Sequence, residues 1–408
     1  MENNTALHII FWIFSILLII IVILFIAFKF ISLRQEKHYK EEVTALLAVT
    51  DADNSSSETE KSVKNVFLPF NIKRQDITKL ALINFEENPE SLYKGLELQY
   101  IENKDAVGYR VLAYRNDDYI DVYDDETLPI NPQEDFNVAG KGAKAHVNTK
   151  MTNLRFEQDE QDNVHISFSF YDILDRPIKV TIDERINRSS TPLNLLAPIG
   201  LSSENPNYFP LFWLYNFNFI RTKYLHCEIL IDGKEIEPDP FPVPFPIQGQ
   251  LRNFIRYTFD SRLYSIFDVS KTRLKEVRLN ENNQYASNDV VYQFNSEGEL
   301  SYIKVDTTYV TFEPSLSLLK EQNGAINIIT EDAMGYIKGE YSFEQEDPSN
   351  VRFKCNFTQG WKANVHLPTH KIVVNNNSVF ATWPKQYYYI LDINLDTKET
   401  NSVWENRL

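Results

Sequence analysis

The stretch VHISFSFYDILDRPIKVTI, residues 164–182, decides the class of fold. Val164, Ile166, Phe168 and Phe170 alternate with His165, Ser167 and Ser169, and a period of two places the apolar set on one face of a strand. After the turn residues Asp175, Arg176 and Pro177, the residues Ile178, Val180 and Ile182 repeat the pattern. The stretch predicts an antiparallel hairpin with one buried face. Upstream, Val107, Tyr109 and Val111 and then residues 119–123, separated by Asn116, Asp117 and Asp118, predict an earlier pair. Downstream, Val351, Phe353, Cys355 and Phe357 oppose Arg352, Lys354 and Asn356, and Tyr387, Tyr389, Leu391, Ile393 and Leu395 continue the alternation. Residues 253–269 and 315–322 fit helix as well as strand.

Composition agrees with strands. The 408 residues include 27 Phe and 22 Tyr against 12 Gly and 3 Met, and aromatic side chains suit a pleated, half-buried surface. Many strands with turns between them predict an all-β protein of two antiparallel β-barrel or sandwich units. The formal charge of −16 repels phosphate backbones, which excludes nucleic acid as the expected partner. Two cysteines form no disulfide framework, and Cys227 and Cys355 read as small buried hydrophobes.

Residues 9–28 carry no charge and one polar side chain, Ser15. About 20 such residues at about 1.5 Å rise match the hydrocarbon thickness of a bilayer, so an uncleaved transmembrane helix is expected. Lys29, Arg34, Lys37 and Lys40 follow the run and no Lys or Arg precedes it, which places the globular part in the cytoplasm of a single-pass membrane protein. The expected divisions are an anchor over 1–31, a juxtamembrane stalk and flexible linker over 32–65, a first β domain over 66–235 and a second over 236–408. In the stalk, Glu36 stands four residues before Lys40, a favourable helical spacing. The boundary rests on Asp232 and Gly233 as a hairpin turn and on the prolines of residues 237–248, which cannot donate to a ladder.

The candidate ligand site is the aromatic block within residues 207–231, NYFPLFWLYNFNFIRTKYLHCEILI, which reads as a pair of strands. Tyr208, Phe209, Phe212, Trp213, Tyr215 and Phe217 either seal an interface between two β units or line an apolar cavity, with Tyr208, Trp213, Tyr215 and Asn216 offering hydrogen bonds. Other chemistry is poorly served. Asp117, Asp118, Asp121, Asp124, Asp125 and Glu126 lack an EF-hand's spacing and turn glycine and read as a solvated rim. His366 and His370 are separated by Pro368, which breaks a zinc-binding helix face. His226 and Cys227 are strand neighbours and project to opposite sides. Residues 140–144, GKGAK, miss the phosphate-loop spacing and read as a turn. No metal, cofactor or catalytic residue is assigned.

The order of features resembles the tandem lipocalin-like proteins of the carotenoid-hydratase and AttH type, in the calycin group. The resemblance runs through a strand at residues 178–184, a loop with Pro192, Leu193, Leu195 and Pro198, the aromatic strand, the Ile231, Asp232, Gly233 turn and a second β unit. It implies two β-barrels and an apolar ligand such as a lipid or isoprenoid. Hydration of a double bond in that setting needs an acid whose pKa is raised in an apolar pocket. Glu204 and Glu228 lie near the aromatic block, and neither matches a family motif. The expected function is a membrane-anchored β protein that binds a lipid or other apolar small molecule. Its alternatives are an enzyme acting on a membrane-soluble lipid or isoprenoid, and a protein-interaction module.

Overall fold

The computed structural model describes residues 2–52, 64–86, 92–104, 106–129, 140–185, 192–200, 203, 206–221, 225–239, 252–331, 334–365, 367, 370–371, 374 and 378–407. Outside a long N-terminal helix, α1 (Glu2–Ala52), and short helical segments near the C-terminus, the described residues are mostly strands joined by turns. The alternating stretches form strands as expected. Pro177–Glu184 pairs with Val164–Tyr171, with Ile178 opposite Phe170 and Val180 opposite Phe168, and the apolar positions of both strands are buried. Asp175 takes the positive φ that the turn requires, a conformation Asp tolerates better than most residues. Val107–Arg115 pairs with Ile120–Asp125 around Asp118, also at positive φ.

Three main sheets result. A five-stranded side sheet runs in the order Lys234–Glu235, Leu225–Ile231, Pro177–Glu184, Val164–Tyr171, Thr152–Gln158. A ten-stranded central sheet runs in the order Ile72–Gln75, Asp260–Ile266, Phe209–Arg221, Arg252–Thr258, Ile77–Asn84, Tyr93–Glu102, Val107–Arg115, Ile120–Asp125, Ala143–Thr149, with Leu193–Ala197 also paired to Phe209–Arg221. Its last pair is parallel. A ten-stranded antiparallel meander runs from Gln284–Ser287 to Glu399–Asn406, with Lys271–Arg273 added at its far edge. Both ambiguous segments are settled by these ladders. Residues 253–266 lie in two strands, and residues 315–322 are the end of Thr308–Leu316, a bend, and the start of Gln322–Thr330.

Each of the two large cores is a sandwich. Leu96, Leu98, Val111, Ala113 and Ile255 of the central sheet pack against Ile166, Phe168, Val180 and Ile229 of the side sheet. Phe209, Trp213, Tyr264 and Phe267 pack against Phe312, Phe353, Tyr389 and Trp404 of the meander. The expected barrels are not formed: the meander's edge strands, Lys271–Arg273 and Gln284–Ser287, do not pair with each other, so among the described residues it stays an open sheet. The division expected at 235/236 is crossed by the central ladder. Asp260–Ile266 pairs with both Ile72–Gln75 and Phe209–Arg221, and Arg252–Thr258 pairs with Ile77–Asn84. The central sheet serves both cores, and the proline run lies largely outside the described residues.

The aromatic block is not a hairpin. Phe209–Arg221 enters the central sheet and Leu225–Ile231 the side sheet. Asn216 sits between the two halves of Phe209–Arg221 with φ of 50°. Before it, Phe209 to Tyr215 pair with Asp260–Ile266; after it, Asn218 and Phe219 pair with Tyr257 and Arg256. One strand thereby passes from the meander core, which holds Phe209 and Trp213, to the side-sheet core, which holds Ile220.

Helix α1 continues through the position where an anchor was expected to give way to a stalk. No helix of the described residues is long and apolar enough to cross a membrane. Several side chains of residues 9–28 lie outside the described set, and those described are exposed, Trp12 at 65% and Ile23 at 58% among them. Further along, Lys40 reaches Glu36 at 2.8 Å, as the spacing predicts. The juxtamembrane stalk, helical as its spacing predicts, is docked on the meander. Glu42 accepts hydrogen bonds from Tyr336 and Lys338 of the meander. Tyr39 stacks on Tyr336 with ring centroids 5.8 Å apart, and Lys371 donates to Gln35 at 3.1 Å. The linker residues 53–63 lie outside the described residues.

Candidate functional site

A cleft of about 1210 Å³ opens on the face of the central sheet turned away from the side sheet. Strand alternation builds its floor. Leu96 and Leu98 point into the side-sheet core, so Glu97 and Gln99 point the other way. Val111 and Ala113 likewise face that core, which leaves Arg110, Leu112 and Tyr114 on the cleft side. The register aligns a row across four strands: Arg256 opposite Leu82, Leu82 opposite Glu97, and Glu97 opposite Leu112.

The row carries an unusual carboxyl. Glu97 is 6% exposed, accepts from Tyr114 Oη at 2.5 Å and from Gln99 Nε2 at 2.7 Å, and lies in the field of Arg256. Burial pushes its pKa above the ordinary carboxylate range, overcoming the lowering by Tyr114, Gln99 and Arg256. The same burial brings the Arg256 guanidinium down to about 10, against the pull of Glu97 and Tyr114, and lifts the Tyr114 hydroxyl. Arg256 also donates to Asn84 Oδ1. A carboxyl in this state keeps its proton to higher pH than a surface carboxyl, so it can donate a hydrogen bond or a proton to a molecule in the cleft.

The neighbouring row holds an ion pair. Arg110 forks onto Asp124 at 2.6 and 3.1 Å, and His146 Nε2 lies 2.7 Å from the same carboxylate. Half of the acidic cluster read as a solvated rim is therefore an interior feature, while Asp117, Asp118 and Glu126 are exposed. Asp121 and Asp124 are fully buried and Asp125 nearly so. Asp121 takes Arg115 at 3.0 Å and Tyr93 at 3.1 Å, while Asp125 holds Thr127 Oγ1 at 2.8 Å and the Met151 amide at 3.0 Å. Asp117 and Asp118 remain at the exposed turn, paired with Arg115 and Lys94. The cluster differs from expectation because sheet register, not local sequence, delivers its cationic partners.

The structure does not gather the six aromatic candidates around one cavity. Phe209 and Trp213 are fully buried in the meander core, where Phe209 lies 4.5 Å from Phe357, 5.3 Å from Trp383 and 5.1 Å from Tyr387, ring centre to ring centre. Tyr215 is buried beneath the Arg262 guanidinium, 4.4 Å from its ring centre. Phe217 packs edge-on against Phe219 at 5.4 Å. Tyr208 and Phe212 do line the cleft wall. Cys355 is buried as expected and Cys227 half-buried. Glu228 makes a cross-strand ion pair with Lys179; Glu204, His366 and Pro368 lie outside the described residues.

Sequence reasoning passed over Glu97, Gln99, Arg110, Tyr114 and Arg256. Their only signal is the alternation in YKGLELQYIE and VGYRVLAYR, and polar residues at every second position ordinarily mark a solvated face. No family model matches the chain, and neither does any curated protein or solved structure.

Proposed function

We propose that this chain is a membrane-tethered β protein that binds an amphiphilic small molecule in the cleft of its central sheet. The observation that carries the reading is the buried Glu97, hydrogen-bonded to Gln99 and Tyr114, on the floor of an open cleft of about 1210 Å³. Polar and charged groups share the lining with the apolar Leu82, Leu112 and Phe212, a mixture that suits a molecule with both a polar and an apolar part. Three features support tethering: the charge-free run of residues 9–28, the exposed apolar side chains of α1, and the basic residues that follow, which favour a cytoplasmic globular part. The docking of Glu42 on Tyr336 and Lys338 would hold the cleft at a fixed attitude to the bilayer.

A second reading has its own observation. The raised pKa of Glu97 suits a proton donor, so the bound molecule could be a substrate of acid-catalysed hydration or isomerisation. Native mass spectrometry of the full chain, released from detergent, tests the binding reading. A stoichiometric adduct that solvent extraction identifies as amphiphilic is expected. A bare mass that persists after incubation with membrane extract contradicts it, and turnover of the extracted molecule would favour the enzymatic reading.

A further inference from the structure

The chemical class of the ligand's head follows from how the charges of the cleft are already satisfied; this step rests on the cleft being the binding site. Its lining contains the cations Lys73, Lys94, Arg110 and Arg256. Lys73 meets Asp268 at 2.6 Å, Lys94 meets Asp118 at 2.9 Å, and Arg110 forks onto Asp124. Arg256 faces Glu97 and donates to Asn84. Each cation has a protein acceptor, so an entering phosphate or carboxylate would have to displace a carboxylate from a formed pair, at the cost of leaving that carboxylate unpaired. Asp76, Asp239 and Asp268 on the same lining add repulsion. A cationic head would have to compete with Lys73 for Asp268 and with Arg256 for Glu97.

What the walls offer in surplus is hydrogen-bond acceptors. Gln99 is 4% exposed and gives its amide hydrogen to Glu97, and among the described residues its Oε1 meets no donor. Asp268 spends Oδ2 on Lys73, and its Oδ1 likewise meets no donor. Buried acceptors in this state are costly, and neutral O–H groups satisfy them without displacing any ion pair already formed. Hydroxyls also accept, so the same head can take hydrogen bonds from the donors of the floor. Tyr208 and Phe212 on the wall provide flat apolar contact. We infer that the cleft takes a neutral, polyhydroxylated group, a sugar or cyclic polyol, either free or as the head of a lipid.

The test uses the full chain in phosphatidylcholine nanodiscs, titrated calorimetrically with hexyl glucoside, free glucose and hexyl phosphate below their micellar concentrations. Hexyl glucoside is expected to bind at least about tenfold more tightly than hexyl phosphate, and Gln99→Met and Asp268→Ala, each checked for native circular dichroism, are expected to weaken it about tenfold apiece. Glucose binding as tightly as its hexyl ether would assign a free sugar; glucose binding more weakly would assign a lipid head. Equal or tighter binding of hexyl phosphate, weakened by the same variants, would overturn the polyol inference and leave the cleft as the site. Binding of the glucoside unaffected by both variants would place it elsewhere and overturn the inference. No binding by any of the three would remove the inference and count against the cleft itself.

Discussion

Phe209→Ala is expected to lower the free energy of unfolding by about 3–5 kcal/mol, the range for deleting a large aromatic side chain from a packed interior. The ring is fully buried, and it touches Phe357, Trp383, Tyr387 and Trp404 on three separate segments of the meander half. Of those neighbours, Trp404 is further fixed by donating to the Phe267 carbonyl at 2.7 Å. A site held this way collapses poorly around a cavity, which argues for the upper part of the range. Phe209→Leu retains more of the volume and is expected to cost less than half as much. Urea unfolding followed by tryptophan fluorescence reads both. A loss under about 1 kcal/mol for the alanine variant would mean that the aromatic block is not a structural seam.

Asp124→Ala should cost a similar amount for a different reason. The carboxylate is fully buried, with Arg110 in a two-point contact and His146 at 2.7 Å. Burial alone would raise its pKa, but the hydrogen bonds from His146 and Arg110 and the charge of Arg110 outweigh that and hold it below the ordinary value. Removing it strands the buried guanidinium of Arg110, for which about 3–5 kcal/mol is typical. The double variant Asp124→Leu with Arg110→Leu is expected to lose less than the single alanine change, since neither charge then stays buried alone. The sign with pH follows from the depressed pKa. In the folded state Asp124 releases its proton more readily than in the unfolded chain, so its contribution is complete above about pH 5 and is lost as pH falls through the folded-state value. Asp124→Asn should therefore flatten the acid limb of stability against pH. An acid limb identical to that of the unaltered protein would show that the pair does not contribute in this way.

The parts of the fold written in local alternation were legible. The strands around Phe168 and Val180, and around Phe353 and Cys355, follow from a period of two that nothing nearby contradicts. What sequence could not supply was partnership across distance. Residues 209–221 and 225–231 read as a pair of strands, yet they go to different sheets, and at Asn216 the first changes partner from Asp260–Ile266 to Arg252–Thr258. The division at 235/236 failed for the same reason: the ladder from Arg252 to Ile266 is completed by strands that begin near Ile72. Glu97 and Gln99 were readable as one face of a strand, but their burial and the proximity of Arg256 depend on register over four strands. Asp121 and Asp124 read as solvated because the partners that bury them, Arg115, Arg110 and His146, reach them from neighbouring strands.

The ligand is expected to sit in the cleft of the central sheet and not in the aromatic seam. The most direct measurement is the native mass spectrum of the full chain in three forms after exposure to membrane extract: unaltered, Leu82→Trp to fill the cleft, and Trp213→Phe to perturb the seam. Leu82 lines the cleft, and Trp213 lies wholly in the meander core. The adduct is expected in the unaltered and Trp213→Phe proteins and absent from Leu82→Trp with its circular dichroism unchanged. An adduct that survives Leu82→Trp and disappears with Trp213→Phe would contradict the claim and return the site to the aromatic block.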